Sequence, residues 1–105
     1  MKYLDIDKNL IPYRFQTPIA GVLYDFMIRY NKRFDFFTMD LSKDGIPIVT
    51  GDKIVYGRML FETCQDDSKT PEYPITPFDI MGENARVGWD DLGSNVFLYI
   101  GDPND

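Results

Sequence analysis

The sequence predicts an all-β fold, a small antiparallel β-sandwich or barrel with short strands and little helix. Three observations support this prediction. Aromatic residues make up 15% of the chain, a composition that favours strands over helices. Seven Pro and eight Gly are scattered along the chain and divide it into short segments. Several of these segments alternate apolar and polar residues, as half-buried strands do.

The length of 105 residues is enough for one domain with one modest core. We expect an extended N-terminal segment at residues 1–12, a single β domain at residues 13–101 and a polar tail at residues 102–105. The first segment has little periodicity, and the tail is polar and short. Neither contributes a recognisable strand to the predicted domain.

Residues 22–30 form the most informative segment of the predicted domain. On a strand, one face would carry five apolar or aromatic side chains, namely Val22, Tyr24, Phe26, Ile28 and Tyr30. A helix would align Leu23, Phe26, Met27 and Tyr30 instead, but no capping box opens the segment. We therefore interpret it as a strand.

The remaining segments follow the same alternation between apolar runs and turn residues. Further strands are predicted at residues 13–16, 36–41, 46–50, 53–56, 86–89 and 96–100, and an extended segment is predicted at residues 75–80, where Pro77 restricts Thr76. Turns are predicted at residues 18–21, 31–33, 44–45, 51–52, 82–84 and 90–95. Residues 58–64 fit a helical turn or a strand equally well, and residues 65–74 predict an exposed loop.

The predicted core draws on three of these strands. We expect the side chains of Phe26, Ile28, Val55, Phe97 and Tyr99 to be largely buried. The run at residues 96–100 is entirely apolar, which is typical of a strand buried on both faces.

The charge of the chain limits its partners. Its 17 acidic and 11 basic residues give a net charge of -6, so phosphate and anionic membrane surfaces repel it. We therefore expect neither nucleic acid nor membrane as a partner. The single cysteine, Cys64, excludes an intramolecular disulfide. No apolar run approaches the length of a membrane span or forms a signal-peptide core, so we expect synthesis and folding in a cytoplasm.

The absence of histidine argues against catalysis. It removes the commonest general base and metal ligand, and it leaves Cys64 without an activating imidazole. We interpret Cys64 as a small buried or half-buried apolar residue. Three carboxylate pairs could in principle serve a glycosidase: Asp5/Asp7, Asp66/Asp67 and Asp90/Asp91. Such pairs usually lie in solvated turns, so we expect no enzyme, no small-molecule substrate and no cofactor.

The N-terminal sequence DIDKN at residues 5–9 matches the opening of a calcium loop. The match then fails, because the sixth position is Leu10 rather than Gly and the twelfth is Gln16 rather than Glu. We therefore expect no metal site at this segment.

The aromatic residues suggest a binding surface, because a domain this small cannot bury all sixteen of them. Trp89 is the strongest candidate, although it can also be a core plug beneath the turn that follows it. The candidate interface residues are Trp89, Asp90, Asp91, Tyr13 and Tyr73. A protein interface is the first interpretation. The alternative is a small carbohydrate-binding β module that stacks exposed aromatics on sugar rings.

Several segments, read in order, resemble the phage baseplate plug family, small β-rich proteins of contractile phage tails and tail-like bacteriocins. The matching stretches are LIPYRF at 10–15, YDFMIRYN at 24–31, FFTMDL at 36–41, GDKIVYG at 51–57, WDDLG at 89–93 and VFLYI at 96–100. Each is only a strand and a turn, and the specificity lies in their order and spacing. Residues 65–74 and the last five residues match nothing in the pattern.

The resemblance implies a structural subunit with no active site, placed at the central hub of a baseplate in a virion or tail-like particle. It would contact hub, spike or tube proteins within a symmetric hetero-oligomeric assembly and occlude the end of the tail. We expect residues 1–12 and 65–74, which lack periodicity, to be ordered mainly by these neighbouring chains.

Overall fold

The structure, a computed structural model, describes residues 2–105 and, of Asp67, the backbone alone. The described residues form seven strands: β1 (Tyr3–Leu4), β2 (Tyr13–Ile19), β3 (Val22–Asn31), β4 (Phe36–Lys43), β5 (Ile46–Lys53), β6 (Ile75–Phe78) and β7 (Phe97–Ile100). Within the described residues, the helical elements are two 3-10 turns, Lys8–Leu10 and Asp67–Lys69. No helix in this part of the chain is long and apolar enough to cross a membrane. The predicted all-β class with little helix is confirmed.

The larger sheet has the order β2-β3-β4-β5 and is built from sequential antiparallel hairpins. The first hairpin turns at Ala20 and Gly21, which both have positive φ, 53° and 80°. This left-handed pair is the two-residue turn whose twist matches that of the flanking strands, and Gly adopts it without steric cost. Asp44 and Gly45 close the β4–β5 hairpin in the same way, as predicted.

The smaller sheet has the order β1-β7-β6, and both of its pairings are antiparallel. Tyr3 lies opposite Tyr99, so this sheet joins the two ends of the chain. The two sheets pack face to face as a sandwich-like fold and do not close into a barrel. The barrel alternative is therefore wrong.

The core lies between the two sheets. The face of β3 predicted to be apolar is the buried one, and Phe26 and Ile28 are fully buried there. Phe37, Met39 and Leu41 of β4 lie beside them and are also fully buried. The smaller sheet supplies Leu4, Leu98 and Ile75 from its three strands, and a single apolar cluster results.

The predicted turn at Gly51 and Asp52 is wrong, because β5 continues through both residues. Met39 pairs with Asp52 and Leu41 pairs with Val49, so β5 holds one extra residue in a bulge. Gly51 takes the positive φ of 70° that this bulge requires. Its N–H donates to the carboxylate of Asp40 on the neighbouring strand, at 2.7 Å. A Gly-Asp pair that resembles a turn is thus a bulge held by a tertiary contact.

Two further predicted strands are also wrong. Of residues 53–56, only Lys53 belongs to a strand, and residues 86–89 form an irregular segment. Since β5 ends at Lys53, the alternation beyond it does not follow a sheet. Val55 is accordingly exposed and Ile54 is buried in its place. β2 is longer than predicted, because the strand continues through Pro18 to Ile19.

The prediction that residues 96–100 are buried on both faces is wrong as well. Leu98 and Ile100 point into the core, whereas Phe97 and Tyr99 are half-buried on the opposite face. The reason is that this sheet has the core on one side only. Phe97 and Tyr99 therefore are not core residues, contrary to prediction.

The N-terminal segment forms part of the sandwich from Lys2 onwards. Leu4 is buried, and the Ile100 N–H donates to the Lys2 carbonyl at 2.8 Å. Residues 58–64 are irregular, but they place Leu60 and Phe61 in the core. Residues 65–74 contain no strand, and the Tyr24 hydroxyl donates to the Thr70 carbonyl within them. The proposed domain boundaries at residues 12 and 101 remain predictions.

Candidate protein-interaction surfaces

The carboxylate of Asp35 organises the surface around Trp89. Asp35 occupies the last position of the β3–β4 turn with a φ of 54°. Its Oδ1 accepts hydrogen bonds from the Tyr30 hydroxyl at 2.6 Å and from the Trp89 backbone N–H at 2.8 Å. Its Oδ2 lies 2.6 Å from Nη2 of Arg86. One carboxylate thus ties the irregular residues 86–89 to the larger sheet.

These contacts shift the pKa values of Asp35 and Tyr30. The hydrogen bond to Asp35, more than desolvation, raises the pKa of Tyr30 to about 12. The same bond, aided by the Trp89 N–H and the charge of Arg86, holds the pKa of Asp35 below its usual 3.8. Asp35 is therefore an ionised acceptor at neutral pH and Tyr30 a neutral donor. Neither group is poised for proton transfer near pH 7.

The indole ring of Trp89 is packed against neighbouring side chains rather than left free to bind a partner. It stacks on Phe37 at a centroid distance of 6.1 Å and an angle of 14°, and it tilts against Tyr30 at 4.9 Å. Lys8 places its ammonium 5.3 Å from the ring centroid and donates to the Trp89 carbonyl. Trp89 thus joins the N-terminal segment to the larger sheet. This packing resembles the core plug that is the other interpretation of Trp89.

The structure brings four of the five candidate interface residues to one end of the sandwich. Asp90 is exposed beside Trp89 and lines an open groove of about 540 Å³. Asp91 caps its turn by accepting from the Gly88 N–H at 2.9 Å, and it lies 3.4 Å from Arg86 Nε. Tyr13 reaches the same end, because it pairs with Ile28 and accepts a hydrogen bond from the Asp7 N–H.

Tyr73, the fifth candidate, lies apart from this cluster. It is half-buried and lines a small hollow with Met59 and Pro74. Within the described residues, no hydrogen bond or ring contact joins Tyr73 to Trp89. An interface role for these five residues remains a prediction.

The outer face of the smaller sheet is aromatic, which the sequence did not reveal. Residues paired across antiparallel strands share a face. Tyr3 pairs with Tyr99 and Phe78 with Phe97, so all four rings lie on the face opposite the core. Tyr3 lies 4.7 Å from Phe97 and 6.1 Å from Tyr99 between ring centroids. Tyr3 and Phe78 are each 45% exposed. We call these four residues the aromatic face.

A loop at residues 79–84 directly follows β6 and carries further exposed apolar side chains. Asp79, 2% exposed, accepts hydrogen bonds from the backbone N–H groups of Met81, Glu83 and Asn84 at 2.9, 3.2 and 3.0 Å. The Asp79 N–H in turn donates to the Tyr56 hydroxyl. The loop carries its two largest apolar side chains outward, with Ile80 64% and Met81 75% exposed. A buried carboxylate thus fixes a loop whose tip is apolar.

Two of the carboxylates from the acidic pairs accept hydrogen bonds within local turns. Asp7 caps the first 3-10 turn by accepting from the Asn9 N–H at 3.0 Å, and Asp66 accepts from both the N–H and hydroxyl of Ser68. The side chain of Asp67 lies outside the described residues. Among the residues described, no three Cys, Asp or Glu side chains converge on a position that could hold a metal. Cys64 is half-buried.

The fold and these surfaces together define a class: a small β-sandwich protein with an exposed aromatic surface. The particular family comes from comparison with known proteins. A family model described as the cyanophage baseplate Pam3 plug gp18 matches residues 1–103, and the chain belongs to that family. This confirms the resemblance to phage baseplate plug proteins and supports a structural role in the phage tail baseplate. Comparisons with curated proteins and with solved structures found no match.

The aromatic face escaped sequence-based prediction for a physical reason. In residues 96–100 every side chain is apolar, so alternation cannot show which side faces the core. Tyr3 joins Phe97 and Tyr99 only through a pairing between the two ends of the chain. The one available signal was the two large apolar residues, Ile80 and Met81, within a segment otherwise rich in turn residues.

Proposed function

We propose that this chain is a non-enzymatic structural subunit at the central hub of a phage baseplate. There it plugs or stabilises the end of the tail through protein–protein interfaces. Its partners are hub, spike or tube proteins, and it works within a symmetric hetero-oligomeric assembly in the virion or in a related tail-like particle. It is made in the cytoplasm of the bacterial host.

The observation that carries this proposal is the family match over residues 1–103. The aromatic face and the adjoining Ile80 and Met81 supply a surface suited to such a role. Clusters of exposed apolar residues are typical of interaction sites. Aromatic residues and Met are the types enriched where interfaces are most deeply buried.

The carbohydrate-binding alternative has no comparable support. Sugar stacking requires a ring with a free flat face, and Trp89 has Phe37 stacked on it and the Lys8 ammonium above it. No described observation favours sugar rings over protein at the aromatic face. The proposal therefore rests on protein contacts.

The test introduces variant genes into the phage and measures how much of each variant chain copurifies with assembled tails. The double variant Ile80→Ser/Met81→Ser removes the apolar loop tip. Burying such a side chain contributes roughly 1.5–3 kcal/mol, so losing both should reduce incorporation by at least about tenfold. The matched control, Leu23→Ser/Ile46→Ser, changes two exposed apolar residues on the larger sheet and should incorporate normally.

Two results would overturn the proposal. One is the absence of the wild-type chain from purified tails. The other is full infectivity of phage whose tails assemble without it.

A further inference from the structure

The four sheet edges of this protein differ in how well they are protected. The β5 edge is interrupted by two register shifts and by Pro47, and both devices block pairing with another strand. At the β6 edge, the carbonyls of Pro77 and Ile75 accept hydrogen bonds from the N–H groups of Gly57 and Leu60, at 2.9 and 2.8 Å. β1 has only two residues. Three of the four edges are thus short, interrupted or covered.

The β2 edge has no such protection over residues 13–17. β2 is seven residues long and pairs with β3 without a register shift. Among the described residues, no backbone hydrogen bond reaches β2 from any segment other than β3. An edge that is long, regular and uncovered is a template for an added strand.

The hairpin geometry shows which backbone groups this edge offers. Ile19 and Val22 flank the two-residue turn and form its closing hydrogen-bonded pair. Hydrogen-bonded pairs alternate along an antiparallel ladder, so the odd-numbered residues of β2 bond to β3. The N–H and C=O groups of Arg14 and Gln16 therefore point away from the sheet. Pro18, which has no N–H, falls at the next outward position and leaves no bond to β3 unmade, but it ends the stretch of β2 that an added strand could pair with.

The side chains at this edge are also incompletely covered. Tyr13, Phe15 and Thr17 face the core side but are only half-buried, whereas Arg14 and Gln16 are exposed on the opposite side. Phe15 stacks on the fully buried Phe26 at 5.4 Å. An added strand with apolar side chains at alternate positions would cover these half-buried residues and extend the core.

We propose that β2 is completed by an extended segment of a different chain, which adds a fifth strand to the larger sheet. That segment has apolar residues at alternate positions and a polar, non-basic residue facing Arg14. The inference rests on the proposed function in that the other chain is a baseplate protein. A second copy of this chain is disfavoured as the occupant, because each copy carries a net charge of -6.

The first test is hydrogen exchange on the wild-type chain, free and in purified tails. In the free chain, the amides of Arg14 and Gln16 should exchange at least about tenfold faster than that of Phe15, which bonds to β3. In tails, the two outward amides should slow by at least about tenfold. Equal exchange of both amides in the free chain and in tails would overturn the inference and leave the proposed function intact. Protection that appears in the free chain at high concentration would overturn it in favour of a second copy.

The second test compares Gln16→Pro with Gln16→Ala. Both variants lose the side-chain hydrogen bond to Asp25, but only proline removes the outward N–H. Gln16→Pro should lower incorporation into tails by at least about tenfold, while Gln16→Ala stays within about twofold of wild type. Equal incorporation of the two variants would contradict the proposal. If Gln16→Pro fails to fold, the exchange measurement decides alone. If the wild-type chain is absent from tails, the proposed function fails and this inference falls with it.

Discussion

The outer faces of the two sheets differ in chemistry: that of the larger sheet is mainly polar, with Leu23 exposed among polar side chains, whereas that of the smaller sheet is mainly aromatic. On the larger sheet, Arg29 forms an ion pair with Asp40, Gln16 donates to Asp25, and the Lys53 ammonium lies 4.7 Å from the centre of the Phe36 ring. These contacts keep polar groups at the surface. On the smaller sheet, the equivalent positions carry the aromatic face, beside an apolar loop tip.

This difference indicates that the two faces are adapted to different surroundings. Antiparallel sheets commonly place one face on the core and leave the other in water, where it is polar. The larger sheet follows this pattern. The smaller sheet does not, although it belongs to the same sandwich and shares the same core. This contrast supports the proposal that water contacts the first face and another protein covers the second.

The largest expected effect concerns the core that the two sheets share. Replacing Phe26 by Ala removes a fully buried ring that contacts Phe15 and Phe61. The free energy of unfolding should fall by roughly 3–5 kcal/mol. Urea unfolding of the isolated chain measures this. A change below about 1 kcal/mol would mean that β3 does not pack into a common core. The two sheets would then not have distinct inner and outer faces.

A smaller effect is expected at the loop beside the aromatic face. Asp79→Ala leaves the three N–H groups that its carboxylate binds without an acceptor. We expect a loss of roughly 2–4 kcal/mol, since hydrogen bonds to a charged group are stronger than neutral ones. Asp90→Ala is the control, because Asp90 is exposed and its removal should change stability by less than about 0.5 kcal/mol. Similar effects of the two substitutions would show that Asp79 does not hold the loop.

The smallest effect concerns Asp35, which joins Trp89 to the larger sheet. Its pKa is lowered in the folded chain, first by the Tyr30 hydrogen bond. The resulting stabilisation is present above pH 3.8 and is lost as the pH falls through the lower, folded-state pKa. The raised pKa of Tyr30 affects stability at alkaline pH. The stabilisation it provides is complete below pH 10 and is lost as the pH rises through about 12.

Asp35→Asn should therefore flatten the decline in melting temperature at acid pH and move the last tyrosine titration towards 10. Thermal unfolding from about pH 6 to about pH 2 and ultraviolet titration of the phenols measure the two changes. Asp44→Asn should alter neither, because Asp44 is exposed in the β4–β5 turn and does not contribute to the raised pKa of Tyr30. An unchanged acid decline together with an unchanged phenol titration would show that Asp35 and Tyr30 are not coupled.

The larger sheet could be predicted from the sequence because its information is local. Residues 22–30 alternate regularly, and Asp44 with Gly45 forms a recognisable turn. The smaller sheet could not be predicted in this way, because Tyr3 and Tyr99 pair across almost the whole chain. Gly51 shows the same limit within a predicted region, since a carboxylate on the neighbouring strand makes it a bulge rather than a turn. The aromatic face depends on the distant pairing and was missed with it.

The central claim is that the aromatic face is covered in the assembled baseplate and that the outer face of the larger sheet is not. Hydroxyl-radical footprinting tests it, because Met81 lies in the loop that follows Phe78 of the aromatic face and Met27 lies on the outer face of the larger sheet. Oxidation of methionine depends on its exposure, so on passing from free chain to purified tails Met81 should be oxidised at least about fivefold less and Met27 less than about twofold less. Equal oxidation of Met81 in the two states, or protection confined to Met27, would contradict the account.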